Sequence, residues 1–468
     1  MKPLLTFFLT LLTCSALHSQ TPLEGAWDGA IRIMGTELKI AVTFRAPRDT
    51  PAATIDIPQQ SAMGLPLTNV IRELPRVHFE LPAGPGLAVF EGNLQADSIT
   101  GAFTQGGAAG TFFLRPRTEG EASQPAEGAV PYKQEEVRFT NGPVTLAGTL
   151  TLPSSAGKHP AVVMITGSGP QNRDEEIFGF KPFKLIADTL TRRGIAVLRY
   201  DDRGVGGSSK GPEDATTEDF ASDALAALQY LKTRKEISPA QIGLCGHSEG
   251  ALAAPIAAVR SSDVAFLVLL AGPGVPGDTL ILWQMTTLAR AGGATDGEIA
   301  EAVRLQHRVF DAVRTGEGWE EVRSSMSEQM GKSMEKMTPE QRQAVGDSAT
   351  VIASRVDASV QAAKSPWFKY FVAYDPAPTL EKVRCPVLAV YGELDMQVPP
   401  QFTMPPLKAA LEKGGNKDIT VRVIPGANHL FQQATTGHPS EYGALKKEFV
   451  PGFLDTLSTW VVERVVRQ

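Results

Sequence analysis

The sequence predicts two folded parts in one chain: a small all-β barrel or sandwich, then a larger α/β part built on a mainly parallel sheet. Three observations predict it. Residues 21–116 carry short period-two apolar runs punctuated by Gly, Pro, Asn and Asp. From residue 131 onward, apolar strand-like runs alternate with helical stretches, and one helical stretch of more than a hundred residues interrupts that alternation before Cys385. Short alternating runs at close spacing indicate antiparallel architecture, and strands alternating with helices indicate a parallel sheet covered on both faces.

In the first part Trp27–Ile33 alternates, Met34–Gly35 turns, and Leu38, Ile40, Val42 and Phe44 recur with period two. Arg76–Leu81, Leu87–Leu94, Ser98–Thr104 and Gly110–Leu114 repeat the pattern. This part shows no nucleophile, metal set or phosphate loop. Residues 117–130, small, polar and acidic, read as a linker. The α/β part, 131–468, opens with a hairpin at Asn141–Gly142 between Glu136–Thr140 and Val144–Leu152. Ala161–Thr166 is a strand, and Pro182 sits just inside a helix running to Arg193. Gly194–Tyr200 is a strand, and Glu218–Arg234 is a helix with acidic residues in its first turn. Ile242–His247 leads into a helix after Ser248, and Ala265–Leu270, Pro386–Tyr391 and Ile419–Ile424 are further strands. Residues from about 272 to 380 read as an inserted helical cap over the sheet edge. A helix start at Thr338–Pro339–Glu340–Gln341 falls in it, and Met285, Met326, Met330, Met334 and Met337 read as its packing residues.

A length of 468 residues allows about three folding units. At 42% hydrophobic and 21% charged, the composition excludes wholesale disorder and coiled coil. Lys+Arg 45 against Asp+Glu 51, with no run of five basic residues, argues against a nucleic-acid partner. Cys245 and Cys385 lie in apolar strand-like runs and read as buried free thiols, and with seven scattered histidines they assemble no metal site.

The start of the chain reads as an export signal over residues 1–20. Lys2 precedes the apolar run Leu4–Leu12, small residues follow, and His18–Ser19–Gln20 is polar. The run is too short for a spanning helix, which needs about 20 residues. Cleavage after Ala16 or Ser19 would give a periplasmic or secreted protein with no transmembrane segment. The alternative is a lipoprotein anchored through Cys14, which Leu12–Thr13 fits only loosely.

The chemistry concentrates at Gly246–His247–Ser248–Glu249–Gly250, a G-x-S-x-G placed between a strand and a helix. Such a turn holds a nucleophile at the carboxyl edge of the sheet, and small flanking residues let the chain bend that sharply. Ser248 is the expected nucleophile. It needs a base and an orienting group, in the chain order Ser, Asp, His. Asp395 follows a strand 147 residues after Ser248, and His429 follows another strand 34 residues later. Glu393 is a weaker orienter, and His438, His159 and His247 are weaker bases, His247 because it points the wrong way on the turn. The oxyanion donors are expected to be the backbone N–H groups of Glu249 and of Ser168, ahead of Gly169, in the loop Gly167–Pro170. Asp201–Ser208 and Arg173–Asp174 read as loop braces, and Asp278 as an N-terminal helix charge. Gly204-x-Gly206 lacks the dinucleotide fingerprint, and no Gly-Lys-Ser/Thr follows the loop at 167.

Five stretches carry a resemblance: Gly167–Asp174 (GSGPQNRD), Asp201–Ser208 (DDRGVGGS), Gly246–Gly250 (GHSEG), Ser365–Tyr370 (SPWFKY) and Gly392–Asp395 (GELD). By these, residues 131–468 resemble the α/β-hydrolase superfamily, in particular the EstD-type bacterial carboxylesterases with a serine aminopeptidase-like hydrolase domain. The resemblance implies an α/β-hydrolase fold, carboxylesterase activity with Ser248, Asp395 and His429 as triad, no cofactor, and a non-catalytic amino-terminal domain. Residues 21–116 loosely resemble the lipocalin-like pieces attached to exported bacterial hydrolases. Pro255 departs from helix rules and is expected to kink or shift the helix after Ser248.

The expectation is thus an exported serine hydrolase acting on small-molecule esters of short to medium acyl chains. Trp367, Phe368 and Phe371 are candidate pocket walls, with plain cap packing as the alternative. An aminopeptidase with the same triad stays open and would need a carboxylate near the site, for which Glu249 is the candidate. A thioesterase or acyltransferase stays open too. So does a non-catalytic glycan- or lipid-binding protein in which the β module acts. The oligomeric state is not legible.

Overall fold

The computed structural model describes residues 23–33, 36–45, 53–57, 62–82, 87–95, 97–105, 108–116, 130–211, 214–335 and 348–466. The expected signal segment with Cys14, the Met34–Gly35 turn, linker residues 117–129, and the helix start at Thr338–Gln341 with Met337 lie outside these.

The first part forms nine strands: β1 (Gly25–Ile33), β2 (Thr36–Phe44), β3 (Ala53–Ile57), β4 (Ala62–Pro66), β5 (Thr68–Glu73), β6 (Arg76–Pro82), β7 (Leu87–Gln95), β8 (Ser98–Gln105) and β9 (Ala108–Pro116). They make one antiparallel sheet in the order β4-β3-β2-β1-β9-β8-β7-β6-β5. The two edge strands, β4 and β5, are separated in the chain by Leu67 alone. The sheet must therefore curl until its edges meet at that corner, which makes it a nearly closed barrel and not a sandwich. Alternation sorts the side chains inside from those outside: in β7, Ala88, Phe90 and Gly92 turn inward while Leu87, Glu91 and Asn93 face out. Inside, Phe79 stacks on Phe90 at 4.5 Å, and Phe103 and Phe112 meet Phe90 edge-on at 5.0 and 5.2 Å.

The second part is an eight-stranded sheet, β10-β11-β13-β12-β14-β15-β16-β17. Its strands are β10 (Tyr132–Asn141), β11 (Val144–Pro153), β12 (His159–Ile165), β13 (Ala196–Tyr200), β14 (Ile237–His247), β15 (Leu267–Leu270), β16 (Val387–Gly392) and β17 (Ile419–Ile424). β10–β11 is an antiparallel hairpin whose Asn141 pairs with Val144. The turn residues are therefore Gly142 and Pro143, one position later than the sequence suggests, with Gly142 at φ 56. β11 is antiparallel to β13, and all later pairs are parallel. Every residue of β13, β15 and β16 is buried, as strands covered on both faces must be. The covering helices include α1 (Pro182–Arg192), α2 (Thr217–Lys232) and α3 (Gly250–Arg260). Pro255 lies inside α3, which runs on past it to Arg260. Cys245 is buried and Cys385 half-buried. Both are free thiols, and burial pushes Cys385 up to about 11.

Between β15 and β16 the described residues form helices and no strand: α4 (Gly277–Ala291), α5 (Asp296–Thr315), α6 (Trp319–Glu335), α7 (Ser348–Lys364), α8 (Pro366–Ala373) and the short α9 (Ala377–Leu380). They have a small core of their own around Val309, Val313, Val356 and Val360, on which Met326 and Met330 pack. α10 (Pro400–Lys413) and the terminal α11 (Phe453–Val466) complete the described chain. No helix among the described residues is long and apolar enough to cross a membrane.

Candidate active site

The turn from β14 into α3 sets Ser248 at φ 53, a left-handed conformation that a side-chain-bearing residue adopts only where its surroundings force it. The flanking glycines explain how. A Cβ on Gly246 would lie 2.0 Å from the Gly250 carbonyl oxygen, so the chain can cross itself this closely only without one. The Ser248 N–H donates to the Leu270 carbonyl at 2.8 Å, and the Ser248 carbonyl accepts the N–H of Ala251 at 3.0 Å, locking the turn at both ends.

Asp395 and His429 arrive on the loops after β16 and β17. His429 Nδ1 lies 2.8 Å from Asp395 Oδ2. The other oxygen, Oδ1, accepts the N–H groups of Gln397 and Val398, each at 2.8 Å, so the carboxylate cannot rotate away. The two loops are stitched together: the Leu394 N–H donates to the Ala427 carbonyl at 2.8 Å, and Glu393 Oε2 accepts the Gly426 N–H at 2.8 Å. Glu393 is thus a loop brace and not the partner of His429. Both Asp395 and His429 are buried, and His429 and Ser248 line the same cavity.

That cavity holds about 390 Å³. Ser168, Glu249, Trp367, Phe368 and Phe371 all line it. Trp367 stacks on Phe371 at 5.4 Å, so the aromatic wall comes from α8 of the insertion. Phe368 also packs on the insertion's own core, so for this residue the two readings coexist. The loop carrying Ser168 lies against the nucleophile: a Cβ on Gly167 would come within 3.3 Å of Ser248 Cβ. The Gly167 N–H is already given to Glu175 Oε1 at 2.7 Å, and Ser168 follows it in the chain.

Glu249 is buried. Its Oε1 accepts from Thr217 Oγ1 at 2.7 Å and from Trp367 Nε1 at 2.8 Å, while Oε2 has no partner among the described residues. Burial pushes its carboxyl above the usual range, against these hydrogen bonds and the nearby Ser168 hydroxyl.

The remaining histidines are placed elsewhere or otherwise engaged. His438 Nδ1 meets Ser440 Oγ at 2.8 Å in an exposed loop, and His159 Nε2 meets the Ser155 carbonyl at 3.0 Å. His247 does not point away from the site as expected from sequence. Its ring lies 4.7 Å from that of His429, with Nδ1 2.9 Å from Glu175 Oε1 and Nε2 3.0 Å from the His429 carbonyl oxygen. Both nitrogens are thereby engaged, which is what disqualifies it as a base. Burial pulls its pKa down, but the Glu175 charge and hydrogen bond, the His429 carbonyl and Asp395 outweigh that and raise it. Sequence reasoning passed over Glu175. The one available signal was its place in the polar run Gln171–Glu176 that follows the glycine loop.

The acidic and basic motifs beside the site are braces. Arg173 pairs with Asp201 (Nη2–Oδ2 2.8 Å) and with Glu136, and Asp174 pairs with Arg199. Arg203 forks onto Asp223, and Asp202 accepts from Thr166 Oγ1 at 2.6 Å and from the Gln171 N–H at 2.9 Å. Asp278 sits in the first turn of α4, where it pairs with Arg314. No cluster of three or more potential metal ligands occurs among the described residues.

Residues 162–442 match the alpha/beta hydrolase family. Esterase EstD of Thermotoga maritima is 30% identical over 364 residues, covering 77% of this chain and 74% of that protein. Among solved structures, the Pyrococcus furiosus esterase Pf2001 is 15% identical with a TM-score of 0.43, covering 75% of this chain and 96% of that one. Proline iminopeptidase of Mycobacterium smegmatis is 16% identical with a TM-score of 0.42, covering 71% of this chain and 99% of that one.

Proposed function

The chain belongs to the alpha/beta hydrolase family, and from that premise we propose that it is an exported serine hydrolase of carboxylic esters with short to medium acyl chains. The observation that carries the reading is the buried His429–Asp395 hydrogen bond opening onto the cavity that Ser248 lines. Similarity to an esterase over three quarters of both chains supports the choice of ester over other acyl bonds.

In this reading Ser248 Oγ attacks the ester carbonyl while His429 Nε2 takes its proton, and Asp395 holds the ring and stabilises the imidazolium. The negative charge on the carbonyl oxygen is met by the N–H groups of Ser168 and Glu249. The intermediate collapses by breaking the bond to the alcohol oxygen, which leaves with the proton from His429. Water, deprotonated by the same nitrogen, then attacks the acyl-enzyme, and Ser248 recovers its proton as the carboxylic acid departs. Every step is a proton transfer or a nucleophilic displacement, and none calls for a cofactor. The cavity of about 390 Å³ walled by Trp367 and Phe371 suits an acyl group of modest length.

The environment of Glu249 weighs against the aminopeptidase alternative. An ammonium-binding carboxylate should be ionised and open to the substrate. This one is buried, its Oε1 is taken by two donors, and burial pushes its pKa above the usual carboxylate range. Export to the periplasm or beyond rests on the charged, then apolar, then small-residue start of the chain, with anchoring through Cys14 as the other route.

The test is a paired panel on the purified mature chain: p-nitrophenyl esters from acetate to dodecanoate against aminoacyl and prolyl p-nitroanilides, each with Ser248→Ala. Ester turnover that falls by roughly 10⁴–10⁶ in the variant, with anilides silent, is the expected result. Anilide turnover requiring a free amine would replace the esterase reading with a peptidase. Undiminished ester turnover in Ser248→Ala would end it.

A further inference from the structure

We propose that Glu175 is a positioning residue whose carboxylate, acting through His247, holds three catalytic segments in register: the oxyanion loop, the nucleophile turn and the loop bearing the base. The inference rests on the triad reading above and concerns what keeps that triad assembled.

The connections are direct. Glu175 is buried in the loop after β12, and its Oε1 both accepts the Gly167 N–H at 2.7 Å and faces His247 Nδ1 at 2.9 Å. Gly167 opens the oxyanion loop, and His247 immediately precedes Ser248. His247 then passes the contact on, its Nε2 lying 3.0 Å from the backbone carbonyl of His429. One oxygen atom is therefore the common anchor of segments from β12, β14 and β17, each carrying a different catalytic part. Glu175 itself sits at φ 51, a left-handed conformation that a non-glycine residue keeps where surrounding contacts over-determine it.

The ring sits between two acceptors. Beside an ionised Glu175 a neutral imidazole would turn a lone pair on either the carboxylate or the carbonyl, so these contacts and the Glu175 charge favour the protonated ring. Facing this ring are Glu175 from the loop after β12, His429 from the loop after β17, and Asp395 from the loop after β16. Glu175 in turn faces Asp202 from the loop after β13 and Cys245 on β14. A buried ion pair gives little net stability, whereas removing one partner leaves an uncompensated group. A displacement of about 1 Å at a triad costs about 10²-fold in rate.

The experiment uses the full mature chain with p-nitrophenyl butyrate, comparing Glu175→Gln, His247→Gln and the double variant with wild type and Ser248→Ala. The positioning role predicts a kcat lower by about 10- to 100-fold with KM within about threefold. It predicts a double variant no worse than the worse single one, since both changes cut the same chain of contacts. It also predicts that the alkaline limb of the kcat–pH profile moves to lower pH in Glu175→Gln, because removing the carboxylate charge lets His247 release its proton sooner. Wild-type kcat in both single variants would overturn the proposal, as would additive losses, an unmoved alkaline limb, or loss of the folded state by thermal melting in both variants. If only Glu175→Gln fails to fold, the kcat–KM split in His247→Gln decides. Turnover surviving in Ser248→Ala would overturn the triad reading itself, and this proposal with it. Turnover lost there while Glu175→Gln and His247→Gln stay at wild-type kcat would overturn the positioning role alone.

Discussion

The indole Nε1 of Trp367 donates to Glu249 Oε1 at 2.8 Å, so α8 of the insertion is tied by a side chain to the residue that directly follows Ser248. The insertion is thereby fastened at the residue whose backbone N–H is the proposed oxyanion donor. Thr217 Oγ1 at the start of α2 shares the same oxygen, and the carboxyl group joins three elements.

Trp367→Phe keeps a ring to stack on Phe371 but removes the donor. Urea unfolding should show a loss of about 1–3 kcal/mol, the range for a buried group deprived of its partner. Ester kinetics on the same variant should show reduced kcat, because Glu249 is then free to shift. Unchanged stability and rate would mean that the tie contributes nothing.

The two loop histidines should separate cleanly. His429→Ala is expected to lower kcat by about 10⁴-fold or more, comparable to loss of the nucleophile. His438→Ala removes a ring that meets its neighbour Ser440 in an exposed loop, and should stay near wild type. Steady-state rates on p-nitrophenyl butyrate settle the ranking, and the reverse order would move the base.

Gly246→Ala places a methyl group 2.0 Å from the Gly250 carbonyl oxygen, and the obstructing atom is backbone. The turn must open to admit it. A stability loss of about 3 kcal/mol or more is expected in thermal or urea melts. A variant that melts with the wild type would show that this crossing has slack.

Burial pushes the Asp202 carboxyl up to about 8, with Glu175 and Glu249 adding to the effect against hydrogen bonds from Thr166 and Gln171. The native state therefore keeps a proton that the unfolded chain releases near its ordinary 3.8. The stability from this group is complete below the unfolded value and is lost as pH rises through the folded one. Asp202→Asn should flatten the fall of stability between pH 5 and 8, by up to about 1.4 kcal/mol per pH unit, whatever its constant offset. Urea melts across that range, with parallel slopes in both proteins, would contradict this.

The strand runs and their order of alternation were legible because burial on one face or two leaves a period in the sequence. Ile419–Ile424 has the bounds its apolar run suggests, and six of the nine barrel strands stand out by alternation. β3, β4 and β5 do not. They are short, and Pro58 and Pro66 break their pattern. Barrel against sandwich was not legible either, since inward alternation is the same in both, and the decision lies in β1 pairing with β9 across more than seventy residues. At the site, Ser248, Asp395 and His429 stand out as residues at strand ends. The Glu175–His247 link does not, because a hydrogen bond between residues 72 apart leaves no spacing rule behind. The readable fact about His247 was its place beside Ser248, and the direction of its ring depends on Glu175 being there to meet it.

The aromatic packing inside β1–β9 makes that module a plug and not a cup. Phe79, Phe90 and Phe112 occupy the middle of the barrel, where a carrier barrel would keep its cargo. Among the described residues, the polar side chains of the module lie on its outer wall. Surface charge swaps on outward residues such as Glu91 and Arg76 are accordingly the substitutions with which to probe it, and changes to the interior would only soften the plug.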